Sequence, residues 1–595
     1  MCGIMGYIGD ENAVNVIIKG LEELEYRGYD SAGLAVFDGK TLHTVKTTGS
    51  PTNLWKKVEN ISGIIGIGHT RWATHGAATE INAHPHTSQS GLFTVVHNGI
   101  IENYAELKEQ LNGFHFKSET DTEVIAHLLE KNYDGDLKGT VGRTIRQLRG
   151  SYALGIMCSD YPDTVICAKK SSPLFIGISP ESSYIASDIS PLSETSTRVF
   201  RLNDDEIGIL KKDSFKVYDI DGCRIRKSEV KIKAYDRSAD KGGYEHFMLK
   251  EIMEQPYAVR RTLEGIIQEG RIRFKSIRWN SEQIKDIDNV RFVACGSAYH
   301  VGLTGAYVCE RLFHRPAQAC VASEFRYMHP HLDENTLVII ISQSGETADT
   351  LAALRIAKEN GAKTISIVNV ENSTIAMESD CVIMTRAGRE IAVATTKAYS
   401  AQLAVVYSLM IYLSVVSGEL DRKRGIEYAG ELINIPDKIE ETLLSVKAEK
   451  YAQLVAKSGY VCFIGRGYDR CSAEEASLKL KEISYIPCEA YAAGELKHGT
   501  ISLIDDKSLI IALCCAGETK DKTQSNVKES AARGAKIITV TDIDGDGDIK
   551  VPKTVDLFYP MLEIIPMQLL AYHTAKLRGC EIDKPRNLAK SVTVE

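Results

Sequence analysis

Thr336-Leu-Val-Ile-Ile-Ile-Ser342-Gln-Ser-Gly-Glu-Thr347 joins a run of apolar, mostly β-branched residues to a turn rich in hydroxyls and glycine. A short apolar run closed by such a turn reads as a strand buried on both faces. Residues 348–360 then carry helical spacing, so the segment predicts a strand–turn–helix unit. It is echoed by Ser508-Leu-Ile-Ile-Ala-Leu-Cys514-Cys-Ala-Gly-Glu-Thr519, and both copies run on to matching turns, Asn360-Gly-Ala-Lys363 and Arg533-Gly-Ala-Lys536. Upstream, Phe292–Gly296 is echoed by Cys462–Gly467. The repetition predicts two tandem, doubly wound α/β subdomains with parallel sheets. The first copy keeps the hydroxyls of Ser342, Ser344 and Thr347, where the second has Cys514, Cys515 and Ala516 in place of the serines. Hydroxyls and free N–H groups at a helix start suit a phosphate, although the same residues also suit a plain N-cap with a glycine turn. Only the first copy is equipped to bind something polar.

Working outward, the first ~235 residues mix short β-type runs (Gly63–His69, Leu92–His97, Tyr152–Cys158) with helical patterns at Ala13–Leu24 and Thr122–Glu130. Tyr235–Gly243 is polar and turn-prone and reads as a linker. The expected organisation is therefore 1–235, a linker at 236–244, subdomains at 245–440 and 441–582, and a tail at 583–595. With 71 Lys+Arg against 79 Asp+Glu the formal net charge is −8, and no basic block suggests a nucleic-acid partner. Fourteen cysteines without a CxxC pair, and a start without a basic region before an apolar stretch, predict reduced thiols and a cytoplasmic location. The uncharged segment Ala398–Gly418 contains Ser400, Gln402, Ser408, Ser414 and Ser417, and reads as a core or interface helix rather than a membrane span.

Loss of Met1 would make Cys2 the first residue, placing a thiol and a free amine on one carbon. The amine, with an ordinary pKa near about 7.7–8.0, can serve as base for the thiol without a histidine. Around it stand Tyr26-Arg-Gly-Tyr-Asp-Ser-Ala-Gly33, Gly68-His-Thr-Arg-Trp-Ala-Thr-His-Gly76, His97-Asn-Gly-Ile-Ile-Glu-Asn-Tyr104 and Ser118-Glu-Thr-Asp-Thr-Glu123. This set resembles the N-terminal-nucleophile glutamine amidotransferase domain, a four-layer αββα sandwich that releases ammonia from glutamine. The resemblance implies that Cys2 forms a thioester and that Asn98 and the Gly99 amide hold the oxyanion. It further implies that Arg71, Thr74, His75 and Asp121 bind L-glutamine, and that Trp72 gates an ammonia channel.

The duplicated half resembles the sugar isomerase domain, with Ser297, Ser342, Gln343, Ser344, Thr347, Val393 and Thr395 implied as sugar-phosphate ligands. Ala298 stands where that family usually offers Ser, so one sugar hydroxyl contact is lost or passes to Ser297. Leu478-Lys-Leu-Lys-Glu-Ile-Ser-Tyr485, Glu489-Ala-Tyr-Ala-Ala-Gly-Glu-Leu-Lys-His-Gly499 and Asp583-Lys-Pro-Arg-Asn-Leu-Ala-Lys590 complete the pattern. Together with the first domain they resemble the bacterial form of the glutamine–fructose-6-phosphate amidotransferase family over essentially the full length. The resemblance implies Glu482 as the base moving a proton between C1 and C2 of an open sugar, with Lys479 one turn away on the same helix. His498 is implied as the ring-opening proton shuttle supplied across a homodimer, and Lys590 as a Schiff-base lysine. The implied reaction takes L-glutamine and D-fructose 6-phosphate to glutamate and glucosamine 6-phosphate, the first step of amino-sugar biosynthesis, without a cofactor. Thr500 replaces the Pro common after Lys-His-Gly.

Other signals are weak. Gly465-Arg-Gly467 lacks the third glycine of a dinucleotide loop. Asp542–Asp548 mimics a calcium loop, but its twelfth position is Lys553. His69, His75, His84, His86 and His97 have no acidic partner at metal-ligand spacing and read as polar packing, so no metal is expected. A phosphoribosyl-pyrophosphate amidotransferase would need two acidic residues before a Gly-Thr-Thr-type loop, which is missing. A sugar-phosphate-binding regulator would have no need of Cys2, Glu482, His498 and Lys590.

Overall fold

Period-two side-chain alternation explains the first half of the chain. In strand Gly3–Gly9, Ile4 and Ile8 point into one apolar cluster while Met5 and Tyr7 point into another. Every residue of that strand is buried, which is why it reads as a continuous apolar run. The computed structural model of the protein describes residues 2–230 and 240–593. It groups the chain into two units, residues 1–237 with 589–595, and residues 238–588. The linker proposed at 236–244 lies outside the described residues as far as 239.

The first unit contains two seven-stranded antiparallel sheets. One is centred on strands Gly3–Gly9 and Ile65–Arg71, with Gly3 opposite Thr70 and Ile4 opposite His69. The other is centred on Phe93–Ile101 and Gly150–Cys158, with Asn98 opposite Ala153. Three separate apolar clusters define four layers. Helix Ala13–Glu23 packs Val14, Ile17, Ile18 and Leu21 against the first sheet. Ile4, Ile67, Val96, Ala153 and Met157 fill the space between the sheets. Helices Thr122–Asn132 and Leu137–Ile145 cover the second sheet through Ile125, Leu129 and Val141. Each such buried aliphatic side chain contributes roughly 1.5–3 kcal/mol relative to exposure. This is the expected αββα sandwich.

The second unit holds two five-stranded parallel sheets. Numbered along each half, both have the order 2-1-3-4-5, the flavodoxin-like pattern. The first comprises Asn289–Ala294, Ala317–Val321, Thr336–Ser342, Lys363–Val368 and Cys381–Met384. The second comprises Tyr460–Gly465, Cys488–Ala492, Ser508–Leu513, Lys536–Asp542 and Ile549–Val551. One apolar cluster runs through both halves. The boundary drawn at 440/441 falls inside helix Arg422–Ser445, whose Ile435, Ile439 and Leu443 all enter that shared cluster, so the helix is not divided there.

Helix Lys397–Ser417 is long and apolar enough to cross a membrane, yet 83% of its most apolar window is buried within the protein. Its serines are satisfied locally, Ser400 donating to Gln255 Oε1 at 2.6 Å, Ser408 to the Ala404 carbonyl and Ser414 to the Met410 carbonyl. It is a core helix, as its polar content suggested.

Candidate functional site

Cys2 immediately precedes strand Gly3–Gly9, so the sheet register brings it to the end of strand Ile65–Arg71. The Trp72 backbone brackets its thiol: Sγ accepts from the Trp72 N–H at 3.4 Å and donates to the Trp72 carbonyl at 3.6 Å. Burial pushes the thiol pKa up, opposed by the Trp72 N–H and by the Arg71 charge. Asn98 donates from Nδ2 to the Cys2 carbonyl at 3.0 Å, and its buried Oδ1 accepts no hydrogen bond among the described residues. Gly99 sits at φ +140°, where an added Cβ would lie 2.0 Å from the Ser151 carbonyl oxygen. Glycine is therefore required next to Asn98, and its N–H can be presented at an angle other residues avoid.

The other expected glutamine ligands are arranged unequally. Asp121 is buried at the start of helix Thr122–Asn132, and its Oδ2 accepts from the Ile101 N–H at 2.8 Å. Arg71 is buried, and its guanidinium donates to the carbonyls of Ala77 (3.1 Å), Gly76 (3.0 Å) and His75. It thus holds the loop 72–79 as well as facing Cys2. Thr74 is exposed in that loop, His75 stacks edge-on against Tyr104, and Trp72 is half-buried.

Sequence reasoning missed what supports this group. Asp30 Oδ2 accepts from the Ala73 N–H at 2.8 Å and pins the same loop. Beneath Asn98 lies a column of buried imidazoles, with ring centroids 4.0 Å apart for His69 and His84 and 4.9 Å for His84 and His86. His69 Nε2 lies 2.9 Å from the His97 carbonyl, and His97 Nδ1 lies 2.9 Å from Thr122 Oγ1. Burial holds all four below the usual histidine range, His69 at about 3. Their clustering was visible in the sequence, but their stacking was not. No group of metal-binding side chains occurs among the described residues.

In the second unit, the loops after strands Asn289–Ala294 and Thr336–Ser342 meet where the strand order reverses, the usual ligand crevice of such sheets. Ser342 Oγ accepts from the Gly345 N–H at 3.1 Å and lies 3.1 Å from Thr347 Oγ1. Ser344 Oγ accepts from the Glu346 N–H at 3.2 Å. Thr347 caps helix Ala348–Glu359 without a side-chain hydrogen bond to it, leaving the helix start open. Gln343 accepts from the Asn369 N–H through its backbone carbonyl. Ser297 is buried in the first turn of helix Gly296–Leu312. Thr395 is half-buried, and the Val393 N–H is engaged by the Asp583 carbonyl at 3.0 Å.

The second copy's cradle is filled by its own chain. Asp469 accepts from the Ala516 N–H at 3.1 and 3.3 Å, at the position that Ser344 holds in the first copy. Asp469 and Glu563 are fully buried together, and burial pushes both carboxyls up, Glu563 to about 7. The substitution of serines by Cys514, Cys515 and Ala516 thus accompanies an internal carboxyl pair.

Helix Tyr468–Ser484 carries the remaining groups. Lys479 is buried, and its Nζ lies 2.6 Å from Glu482 Oε2 and 3.4 Å from Glu475 Oε1. Burial opposes its charge, but Glu475 and Glu482 outweigh this and raise its pKa above the ordinary lysine range. Glu482 keeps 20% of its side chain exposed, so it is the member of the trio that can meet a ligand. His498 is exposed at the end of the turn Ala493–His498. Lys590 is half-buried and falls with residues 589–595 in the first unit, whereas Glu482 and His498 belong to the second. The tail drawn at 583–595 is accordingly divided after Leu588.

Comparison with known proteins agrees with both halves. A glutamine amidotransferase domain model matches residues 69–194, and a SIS domain model matches residues 283–412 and 454–547. Glutamine–fructose-6-phosphate aminotransferase (isomerizing) of Clostridium tetani is 47% identical, with 100% of both chains covered. The protein of the same name from Caldanaerobacter subterraneus subsp. tengcongensis is also 47% identical over 100% of both chains. Among solved structures, the C-terminal domain of glucosamine-fructose-6-phosphate aminotransferase from Francisella tularensis matches with a TM-score of 0.56 and 37% identity. It covers 58% of this chain and 100% of its own.

Proposed function

The chain belongs to the glutamine–fructose-6-phosphate aminotransferase (isomerizing) family, and from that premise we propose how its own residues carry the reaction. After removal of Met1, the Cys2 amine takes the thiol proton and Sγ attacks the side-chain amide carbon of glutamine. The tetrahedral oxyanion is held by the Asn98 side-chain amide and the Gly99 N–H, donors fixed before charge develops. Ammonia leaves, and water hydrolyses the thioester to glutamate. Arg71 and Asp121 orient the α-carboxylate and α-ammonium. Thr74 and His75 close the pocket, with Trp72 gating the passage of ammonia, which in open water would be mostly protonated and lost.

In the second unit the helix start at Thr347, with Ser342, Gln343 and Ser344, holds the phosphate of fructose 6-phosphate. Ser297, the 393–394 backbone and Thr395 contact the sugar. His498, supplied by the other subunit of a homodimer, moves the ring-opening proton, and Lys590 forms a Schiff base with the open ketose. Ammonia replaces the lysine at C2, and Glu482 carries a proton from C1 to C2, giving the aldose glucosamine 6-phosphate. The neighbouring Lys479 cation offsets charge on the enolic intermediate. Glucosamine 6-phosphate made here enters amino-sugar biosynthesis.

One observation carries the reading. The same chain sets the Asn98 amide on the carbonyl of Cys2 in one unit, and in the other carries hydroxyls at a helix start together with a lysine-paired, partly exposed carboxylate. Amide-15N glutamine and fructose 6-phosphate, followed by mass spectrometry, test it. Labelled glucosamine 6-phosphate is expected. Glutamate without amino sugar refutes the isomerase assignments, and no glutamine turnover by protein lacking Met1 refutes the thioester site.

A further inference from the structure

Glu475 is a carboxylate with no access to solvent, one turn before Lys479 on helix Tyr468–Ser484. A buried ion of this kind persists only with good partners. One is Lys479 at 3.4 Å; the other comes from the first subdomain, where His300 Nδ1 lies 2.7 Å from Glu475 Oε2. His300 stands in the opening turns of helix Gly296–Leu312, three residues beyond Ser297, and is 13% exposed. Beside an ionised Glu475, that ring nitrogen must be the donor.

The contacts form one line, His300–Glu475–Lys479–Glu482. Other groups face it as well. Glu390, in the loop before helix Lys397–Ser417, raises the Lys479 pKa, and Tyr399 on that helix faces Glu475. Two carboxylates in contact, Glu475 and Glu482, therefore share one ammonium. Lys479 lies nearer Glu482 than Glu475, the arrangement expected if a second donor already holds Glu475 through Oε2, while its buried Oε1 accepts no hydrogen bond among the described residues. We infer that His300 is a positioning residue of the isomerase site: its N–H holds Glu475, and Lys479 is thereby kept on the Glu482 carboxylate. The inference rests on the reading of Glu482 as the proton-transferring base.

Without the donor, Glu475 draws Lys479 away, Glu482 loses its cation, and its proton affinity rises. His300→Ala and His300→Phe, the latter keeping ring volume, both remove the donor, while His300→Gln restores one. Amino-sugar formation should fall about tenfold in kcat for Ala and Phe, the order expected when a hydrogen bond to a buried carboxylate is lost. The KM for fructose 6-phosphate and glutamine hydrolysis should stay near wild type. The acid limb of kcat should move upward by about one pH unit, and His300→Gln should recover most of both effects. If folded His300→Phe protein keeps wild-type kcat and acid limb while Glu482→Gln abolishes amino-sugar formation, the inference falls and the base assignment stands. If His300→Gln shows the same loss as His300→Phe, the donor role is refuted. If Glu482→Gln remains active, the base assignment falls and takes the inference with it.

Discussion

Replacing Gly345 by alanine should cripple the proposed sugar-phosphate site while sparing the glutaminase. Gly345 sits at φ +66°, and a Cβ there would lie 2.0 Å from Ser373 Oγ and 2.4 Å from Ser373 Cβ. The left-handed backbone alone costs an alanine roughly 1–2 kcal/mol. Ser373 must also give way, yet it caps helix Thr374–Glu378 by accepting from the Ala376 N–H and donates to the Val370 carbonyl at 2.8 Å. Losing such a cap costs about 1 kcal/mol more. A loop that relaxes instead gives up the Gly345 N–H to Ser342 Oγ, which shapes the cradle. A total of roughly 2–3 kcal/mol against the binding conformation corresponds to an increase of about 30- to 150-fold in KM for fructose 6-phosphate. Coupled-assay kinetics over a fructose 6-phosphate series would read this, with glutamine hydrolysis measured alone as the internal control. A KM within threefold of wild type, with an unchanged melting temperature, would refute the reasoning.

Three further outcomes follow from the geometry. Asn98→Ala removes one of the two proposed oxyanion donors and should lower kcat for glutamine hydrolysis about 100- to 1000-fold with little change in KM; a loss below fivefold in steady-state glutaminase assays would exclude that role. The His69, His84, His86 and His97 column is held neutral by burial. The unfolded chain takes up protons below about pH 6.5 while the fold refuses them, so each such histidine removes up to about 1.4 kcal/mol of stability per pH unit on acidification towards the depressed folded values. Urea unfolding of a Trp279→Phe variant, whose remaining tryptophans Trp55 and Trp72 both lie in the first unit, should show the midpoint dropping between pH 7 and 5; a constant or rising midpoint contradicts it. Glu563 behaves oppositely, since its folded pKa is raised to about 7. Its penalty grows as pH climbs from the unfolded carboxyl value towards 7, so Glu563→Gln should gain roughly 1–3 kcal/mol over the parent at pH 8 and little at pH 5. Calorimetry at both values would decide, and equal melting temperatures at pH 8 would rule it out.

Much of the architecture was legible because burial on both faces of a strand leaves a continuous apolar signature. Thr336–Ser342 and Ser508–Leu513 announce themselves this way, and the echo between them fixes two like subdomains without any contact being known. Cys2, Asn98, Asp121, Ser342 and Glu482 could be proposed because each stands in a short local motif that resembles a known family's. The boundary drawn at 440/441 falls inside a helix for the complementary reason: nothing local marks helix Arg422–Ser445 as packing on a core shared by both halves.

What sequence alone determined is therefore whatever is encoded within a few residues: strand and helix period, turn glycines, and the identity of reactive groups. Only the folded chain decided what those groups face. Asp30 holding the Ala73 amide, Asp469 filling the second cradle, His300 reaching Glu475 across two helices and Arg71 binding its own loop join residues between 4 and 175 positions apart. Such pairings carry no local signal, because a hydrogen bond depends on separation in space, and that is set by the packing of whole elements.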